Sequence, residues 1–87
     1  MIYDQIVRSI IEPLVDQPEA LLIREMDDGS DNITIVIVAN NDDTARLIGR
    51  KGVVAEALRE VMSIAGKQDQ RRINLKFESF DSKSDEE

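Results

Sequence analysis

Residues 47–52 read LIGRKG, so an apolar pair is followed by two glycines that enclose the basic residues Arg50 and Lys51. Because glycine has no Cβ atom, Gly49 and Gly52 can adopt positive φ angles and let another chain approach their backbone closely. A helix starting at about Val53 presents backbone amides and the positive end of its dipole, which attract phosphate. We therefore predict a phosphate-binding loop here, although Gly-x-x-Gly alone also fits a simple turn between two helices.

The segments on both sides of this loop have helical patterns. Before it, residues 40–43 form a polar turn with candidate N-cap side chains, and residues 44–48 continue as a short apolar and basic stretch. After it, a helix is predicted from about Val53 to Ala65, and Gly66 is predicted to end it. The apolar face assigned to this helix consists of Val54, Ala57, Leu58, Val61 and Met62.

Three further segments have the composition of strands. Residues 20–26 and 32–39 flank a cluster of Asp, Gly and Ser at 27–31, which indicates a β-hairpin. The run at 32–39 is dense in β-branched residues, as expected for a central strand that is covered on one face and partly covered on the other. Residues 71–77 alternate with a period of two, which predicts a last strand with one buried face.

The chain begins with a helical pattern. Apolar residues recur at helical spacing from Ile2 to Leu14, and the helix stops before Pro18. The predicted order is therefore α-β-β-α-α-β, with an antiparallel hairpin and a right-handed crossover that places residues 33–38 parallel to 73–77. This is an α+β fold in which three helices cover one face of a three-stranded mixed sheet. We assign residues 1–78 to one domain and 79–87 to an acidic, disordered tail.

The composition narrows the possible functions. The chain has no cysteine and no histidine, which removes thiol chemistry, the commonest general base and the commonest neutral metal ligand. We therefore predict a protein that is not an enzyme and uses no metal or other cofactor. No apolar run is long enough to cross a bilayer, and the N-terminus lacks the basic region and cleavage site of a signal peptide. A cytoplasmic protein is expected.

Charge is distributed unevenly along the chain. The formal net charge is −7, which by itself argues against a nucleic-acid partner. Residues 43–76, however, carry eight basic and four acidic side chains, whereas residues 1–42 carry two basic and nine acidic ones. The basic region surrounds the glycine loop, and such a local excess attracts phosphate groups even in an acidic protein. Chance segregation of charge in a short chain is the alternative explanation.

The sequence LIGRKG, with this order of elements around it, resembles a KH domain of the bacterial type II arrangement. Residues 11–21, which read IEPLVDQPEAL, are similar to the opening of the small bacterial KhpA proteins, which are stand-alone KH domains of about this length. The resemblance implies a loop that clamps about four nucleotides of single-stranded RNA. It also implies a homodimer, or a heterodimer with a second KH protein of the Jag/KhpB type, with a role in RNA regulation linked to cell elongation and division.

The resemblance further implies roles for individual residues. Arg50 and Lys51 face the phosphates, while Ile48, Ile35 and Ile37 line the groove that receives the bases. The complete predicted RNA-binding set is Arg46, Ile48, Gly49, Arg50, Lys51, Gly52, Val53, Ile35 and Ile37.

Two features leave alternatives open. Residues 53–55 read Val-Val-Ala, where KH domains usually have polar or basic residues followed by a bulky aliphatic one, so Val53 is also a candidate for a protein contact or for simple packing. Arg46 and Arg59 either extend the phosphate track or pair with acidic neighbours on solvated helix faces. The competing function is a protein-interaction adaptor whose fold serves mainly homo- or heterodimerisation.

Overall fold

The computed structural model of the protein describes residues 2–80, and these residues fold in the predicted order. Short 3-10 turns occupy Glu12–Leu14, Pro18–Ala20 and Arg50–Gly52. The main elements are α1 (Ile2–Ile11), β1 (Leu22–Asp27), β2 (Asn32–Ala39), α2 (Asn41–Ile48), α3 (Val53–Gln68) and β3 (Arg72–Ser79).

The three strands form one mixed sheet in the order β1-β2-β3. β1 pairs antiparallel with β2, with Leu22 opposite Val38. β2 pairs parallel with β3, with Asn32 opposite Arg72. Both pairings were predicted, because the hairpin loop is too short for a parallel return and the two-helix connection is long enough for one.

All three helices pack on the same face of the sheet, as predicted. The odd-numbered residues of β2 turn toward them and are almost completely buried, because side chains alternate along a strand. The core joins these residues to side chains from each helix, including Val7 and Ile11 of α1, Leu47 of α2, and Leu58 and Met62 of α3.

The buried face of α1 differs in part from the periodic pattern. Tyr3, Val7 and Ile11 are buried, whereas Ile2 and Leu14 are 61% and 44% exposed. The Tyr3 hydroxyl donates a hydrogen bond to the Asp69 carboxylate beyond the end of α3. A tyrosine therefore holds a core position that an apolarity count does not assign to it, because its ring packs inside while its hydroxyl finds a polar partner.

α3 is longer than predicted, and Gly66 does not end it. The helix continues to Gln68, and its buried face consists of Ala55, Leu58, Met62 and Gly66. A Cβ atom at Gly66 would lie 2.6 Å from the carbonyl oxygen of Arg71 and 2.8 Å from Cγ1 of Ile73. Gly66 is therefore present so that the start of β3 can pass close to α3.

β3 also extends past the predicted domain boundary after residue 78. The strand includes Ser79, and the Phe80 amide donates to the carbonyl oxygen of Ala39. Residues 81–87 of the predicted tail lie outside the described residues. In the part of the chain that the structure describes, no helix is both long and apolar enough to span a membrane.

Candidate nucleic-acid interface

The loop between α2 and α3 is a compact turn with both basic side chains at its tip. Gly49 ends α2 with φ of 80°, and a single 3-10 turn then leads into α3. Lys51 has φ of 57°, in the left-handed region that residues other than glycine seldom occupy. Arg50 and Lys51 are both exposed. The turn therefore projects two adjacent cations away from the protein body.

The two glycines of this loop have different roles. A Cβ atom at Gly49 would lie 2.5 Å from Cγ2 of Val54 and 2.9 Å from its backbone nitrogen, so Gly49 allows the two helices to meet closely. Gly52 has φ of 79°, but a Cβ atom there would have no neighbour within 4 Å. The space beside Gly52 is open, which leaves its backbone accessible to an approaching ligand.

Two amides of the turn are already used within it. The Gly52 amide donates to the carbonyl oxygen of Gly49 at 3.0 Å, and the Val53 amide donates to that of Arg50. The expectation that the amide of Val53 is available to phosphate is therefore not met. The side chains of Arg50 and Lys51 are exposed and are therefore open to an anion.

A buried carboxylate fixes the start of α2. Asp43 is 1% exposed and accepts hydrogen bonds from the amides of Asp16 at 2.9 Å and Gln17 at 3.1 Å. The side chain of Asn40 caps the helix by accepting from the Asp43 amide. The hydrogen bond from the Asp16 amide, with those from Gln17 and Arg46, holds the pKa of Asp43 below its usual range although burial acts in the opposite direction.

Arg46 is engaged by this carboxylate. Its Nη1 atom lies 2.6 Å from Oδ1 of Asp43, and its side chain is 50% exposed. Of the two roles considered for Arg46, pairing with Asp43 is the one the structure contains. Its guanidinium group is therefore paired with a buried carboxylate of its own helix.

The apolar residues predicted to line the groove for the bases are only partly at the surface. Ile48 is half-buried at the end of α2, and Val53 is 61% exposed beside the loop. Ile35 and Ile37, in contrast, are 0% and 1% exposed, because both point into the core beneath the helices. These two isoleucines therefore belong to the core and have no exposed surface for contact with a base.

Arg59 was not in the predicted set, yet it lies on α3, the helix that follows the loop, and contacts β3. Its guanidinium carbon is 5.5 Å from the centre of the Phe77 ring, and its Nη2 atom is 3.4 Å from the carbonyl oxygen of Leu75. Sequence spacing favoured pairs with Glu56 and Glu60 on α3. The contact with β3 has no local signal, because it depends on how α3 crosses the sheet.

β3 has one edge that no strand covers. The amides of Arg72 and Phe80 donate to carbonyl oxygens on the β2 side. Because backbone groups alternate along a strand, those of Ile73, Leu75 and Phe77 point to the opposite edge. Within residues 2–80, β3 pairs only with β2. Arg59 thus joins α3 to this uncovered edge, and the basic loop stands at the start of the same helix. We refer to the surface that runs along α3 from the loop, past Arg59, to this edge as the cleft between α3 and β3.

Comparison with known proteins identifies this arrangement. Residues 4–77 match the family described as "KhpA/KhpB, KH domain". The RNA-binding protein KhpA of Halalkalibacterium halodurans is 36% identical over 70 residues, which cover 80% of this chain and 91% of the relative. The protein of the same name from Bacillus subtilis is 33% identical over 79 residues, with coverage of 90% and 93%. That from Listeria monocytogenes is 29% identical over 74 residues, with coverage of 85% and 96%.

No solved structure matches the chain. The family match nevertheless spans every main helix and strand from α1 to β3, including the glycine loop. The chain therefore belongs to the KhpA/KhpB family of KH domains.

Proposed function

We propose that this protein binds single-stranded RNA, and that the loop at residues 49–52 clamps the sugar-phosphate backbone of about four nucleotides. The observation that carries the proposal is the pair of exposed cations, Arg50 and Lys51, on a turn whose backbone is open at Gly52. The family and the names of the relatives support RNA as the ligand. Phosphate contacts of this kind position a strand without reading its sequence.

The bases would lie in the cleft between α3 and β3. Ile48 and Val53 supply apolar surface close to the loop. The Leu75 carbonyl oxygen already accepts from Arg59, so the amide of Leu75 and both backbone groups of Phe77 supply the hydrogen-bonding groups at the strand edge. Arg59 stands between these two sides and adds a cation that can contact either a phosphate or a base face. A surface of two cations, one guanidinium and backbone groups, with no aromatic side chain on which a base could stack freely, favours tolerance of sequence over strict selection of bases.

The affinity of a single domain is expected to be modest. The loop supplies two free cations on a chain with a formal net charge of −7. Binding to single strands weakens with salt by about 0.7 logarithmic units per phosphate contact for each tenfold rise in concentration. Two to three contacts therefore give a shallow salt dependence.

The first prediction tests the loop directly. Replacing both cations, as Arg50→Asp with Lys51→Asp, should weaken binding to a single-stranded oligouridylate by at least about tenfold and lower the salt slope by about 1.4. Aspartate is suitable at position 51 because it tolerates the left-handed conformation better than most residues. Fluorescence anisotropy at several salt concentrations gives both quantities.

A matched control reverses the same number of charges elsewhere. Arg8→Asp with Lys67→Asp changes the net charge equally, and both positions lie away from the loop, on α1 and at the end of α3. Circular dichroism establishes that each double variant is folded. If the loop variant bound RNA as tightly as the parent, or if the control lost as much affinity, the phosphate role of the loop would be refuted.

A second candidate function is protein association, and one surface favours it. A groove of about 190 Å³ between α1 and α3 is lined only by apolar residues. Ile64 and Val53 on the exposed side of α3 are 65% and 61% exposed, and Val61 is 45% exposed. The residues that line the groove are Ile10, Ile11, Leu14, Val54, Ala57, Leu58 and Val61.

This surface suits a second KH domain, either another copy of the chain or a protein of the Jag/KhpB type. We place such a complex in the cytoplasm, in RNA regulation linked to cell elongation and division. The surface proposed for association and the surface proposed for RNA binding share only Val53, so the two functions are compatible. The oligomeric state of the protein in solution separates them.

A further inference from the structure

The face of the sheet opposite the helices carries a charge pattern that the proposed function does not use. This open face is formed by the even-numbered residues of β1, β2 and β3, as the strand register requires. Among them are three basic residues, Arg24, Arg72 and Lys76, and a single acidic one, Glu78. In a chain with a formal net charge of −7, this face is locally positive.

The cations stand in defined positions on this face. Arg24, Val36 and Lys76 share one cross-strand row, so the two cations flank the central strand at a Cα separation of about 10 Å. Arg72 lies four residues from Lys76 on β3, about 13 Å along the strand. Arg24, Arg72 and Lys76 are all exposed. Three separated cations on a flat surface match a chain of phosphates better than they match one compact anion.

The open face is continuous with the cleft described above. Arg59 lies seven residues after Gly52 on α3, about 10 Å along the helix axis. Its guanidinium group covers Phe77, the neighbour of Lys76 on the uncovered edge of β3. An RNA strand that passes from the basic loop over Arg59 therefore reaches the β3 edge. Lys76 lies just past that edge, on the open face.

We propose that an RNA strand longer than the loop's own footprint passes round the edge of β3 and continues across the open face, where Lys76, Arg72 and Arg24 contact its phosphates. This inference rests on the proposed RNA-binding function and extends its footprint. None of the even-numbered strand residues is aromatic, so the open face lacks the rings on which bases stack. Its contribution is electrostatic and independent of sequence.

A protein partner is the other class of ligand that this face could accept, since Leu22 and Met26 are each 47% exposed. The cations favour RNA, because they stand on both outer strands and Lys76 lies beside the edge that leads to the proposed phosphate-binding loop. Charge reversal distinguishes the two ligands. Light scattering establishes that each variant keeps the oligomeric state of the parent. In that case, an open face used only by protein would leave RNA affinity unchanged when its cations are reversed.

The test compares two lengths of single-stranded oligouridylate, of about four and about twelve nucleotides. We expect Lys76→Glu, and separately Arg24→Glu, to weaken binding of the longer strand about three- to tenfold. The same variants should bind the shorter strand within about twofold of the parent, because it fills only the loop. The loop can bind the longer RNA at several positions along its length, and the number of these positions is the same for parent and variant. It therefore does not affect the ratio of their affinities.

Arg8→Glu is the charge control, since it makes the same change in charge on α1, which packs on the other face of the sheet. It also breaks the ion pair of Arg8 with Glu12, so circular dichroism must establish that this variant is folded. It should bind both lengths as the parent does. The extended footprint would be overturned if Lys76→Glu and Arg24→Glu bound the longer strand as tightly as the parent does, or if they lost affinity equally at both lengths. Either result would leave the loop proposal intact. If the parent bound neither strand, the proposed function itself would fail, and this inference with it.

Discussion

Asp43 joins two segments that lie far apart in the sequence. Its carboxylate accepts from two amides of the segment that follows α1, and it pairs with Arg46 on the helix that leads to the loop. The polar turn at 40–43 indicated helix capping, and Asn40 does cap α2. Nothing in that turn distinguished buried Asp43 from exposed Asp42, because burial here depends on residues 26 or more positions away.

We expect Asp43→Asn to lower the melting temperature by several degrees at neutral pH, because the buried hydrogen bonds and the ion pair need a carboxylate. The native pKa of Asp43 lies below the ordinary value of about 3.9. The stabilisation is therefore complete above that value and is lost as the pH falls through the native pKa. The difference in melting temperature between parent and variant should shrink correspondingly below about pH 4.

Asp42→Asn provides the comparison, since Asp42 is the exposed neighbour in the same helical turn. Its melting temperature should follow that of the parent at every pH. A difference between Asp43→Asn and the parent that stayed constant down to pH 2 would show that the charge of Asp43 does not stabilise the fold.

At Gly66, a tertiary contact overrides the preference of glycine for the end of a helix. A glycine after an apolar helical run commonly marks the end of a helix. Here the helix continues for two more residues, because the strand that follows turns back against this glycine. The sequence therefore predicted the existence of α3 correctly and misplaced its end and part of its buried face.

Gly66→Ala should destabilise the protein by about 1–3 kcal/mol in urea unfolding. Alanine is favoured over glycine inside a helix by about 1 kcal/mol, so propensity alone predicts the opposite sign. The clash prevails because the nearest atom, the carbonyl oxygen of Arg71, belongs to the backbone and cannot rotate away. Ser63→Ala, at an exposed position of the same helix, reports propensity alone and should be neutral or slightly stabilising. An increase in stability on Gly66→Ala would contradict the close approach of β3.

For the whole molecule, periodicity was enough to predict the order of elements, the pairing of the strands and the helical layer. Local patterns carry this information, since hairpin length and crossover length fix the strand directions. Local patterns did not predict that Arg59 stacks on Phe77 or that Ile35 and Ile37 are buried. A β-branched run identifies a central strand without showing which of its faces the helices cover, and α3 meets β3 through contacts 16 residues apart.

The apolar groove between α1 and α3 leads to a prediction about assembly. Burial of exposed aliphatic surface contributes about 25 cal/mol per Å², so a second KH domain seated on α3 would remove Val61 and Ile64 from water at a substantial gain. We expect the parent to be a dimer in light scattering across a concentration series, and Val61→Glu to be monomeric, because a carboxylate cannot be desolvated in an apolar interface without a partner.

Ser63→Glu adds the same charge two residues along the same helix, outside the apolar groove, and should stay dimeric. The same two variants also test whether dimerisation contributes to RNA affinity. Two loops in one dimer act together on a long strand, so loss of the dimer should weaken binding to long RNA much more than binding to a four-nucleotide strand. A parent that is monomeric at every concentration would remove the adaptor function, and RNA affinity would then rest on one loop and the sheet beside it.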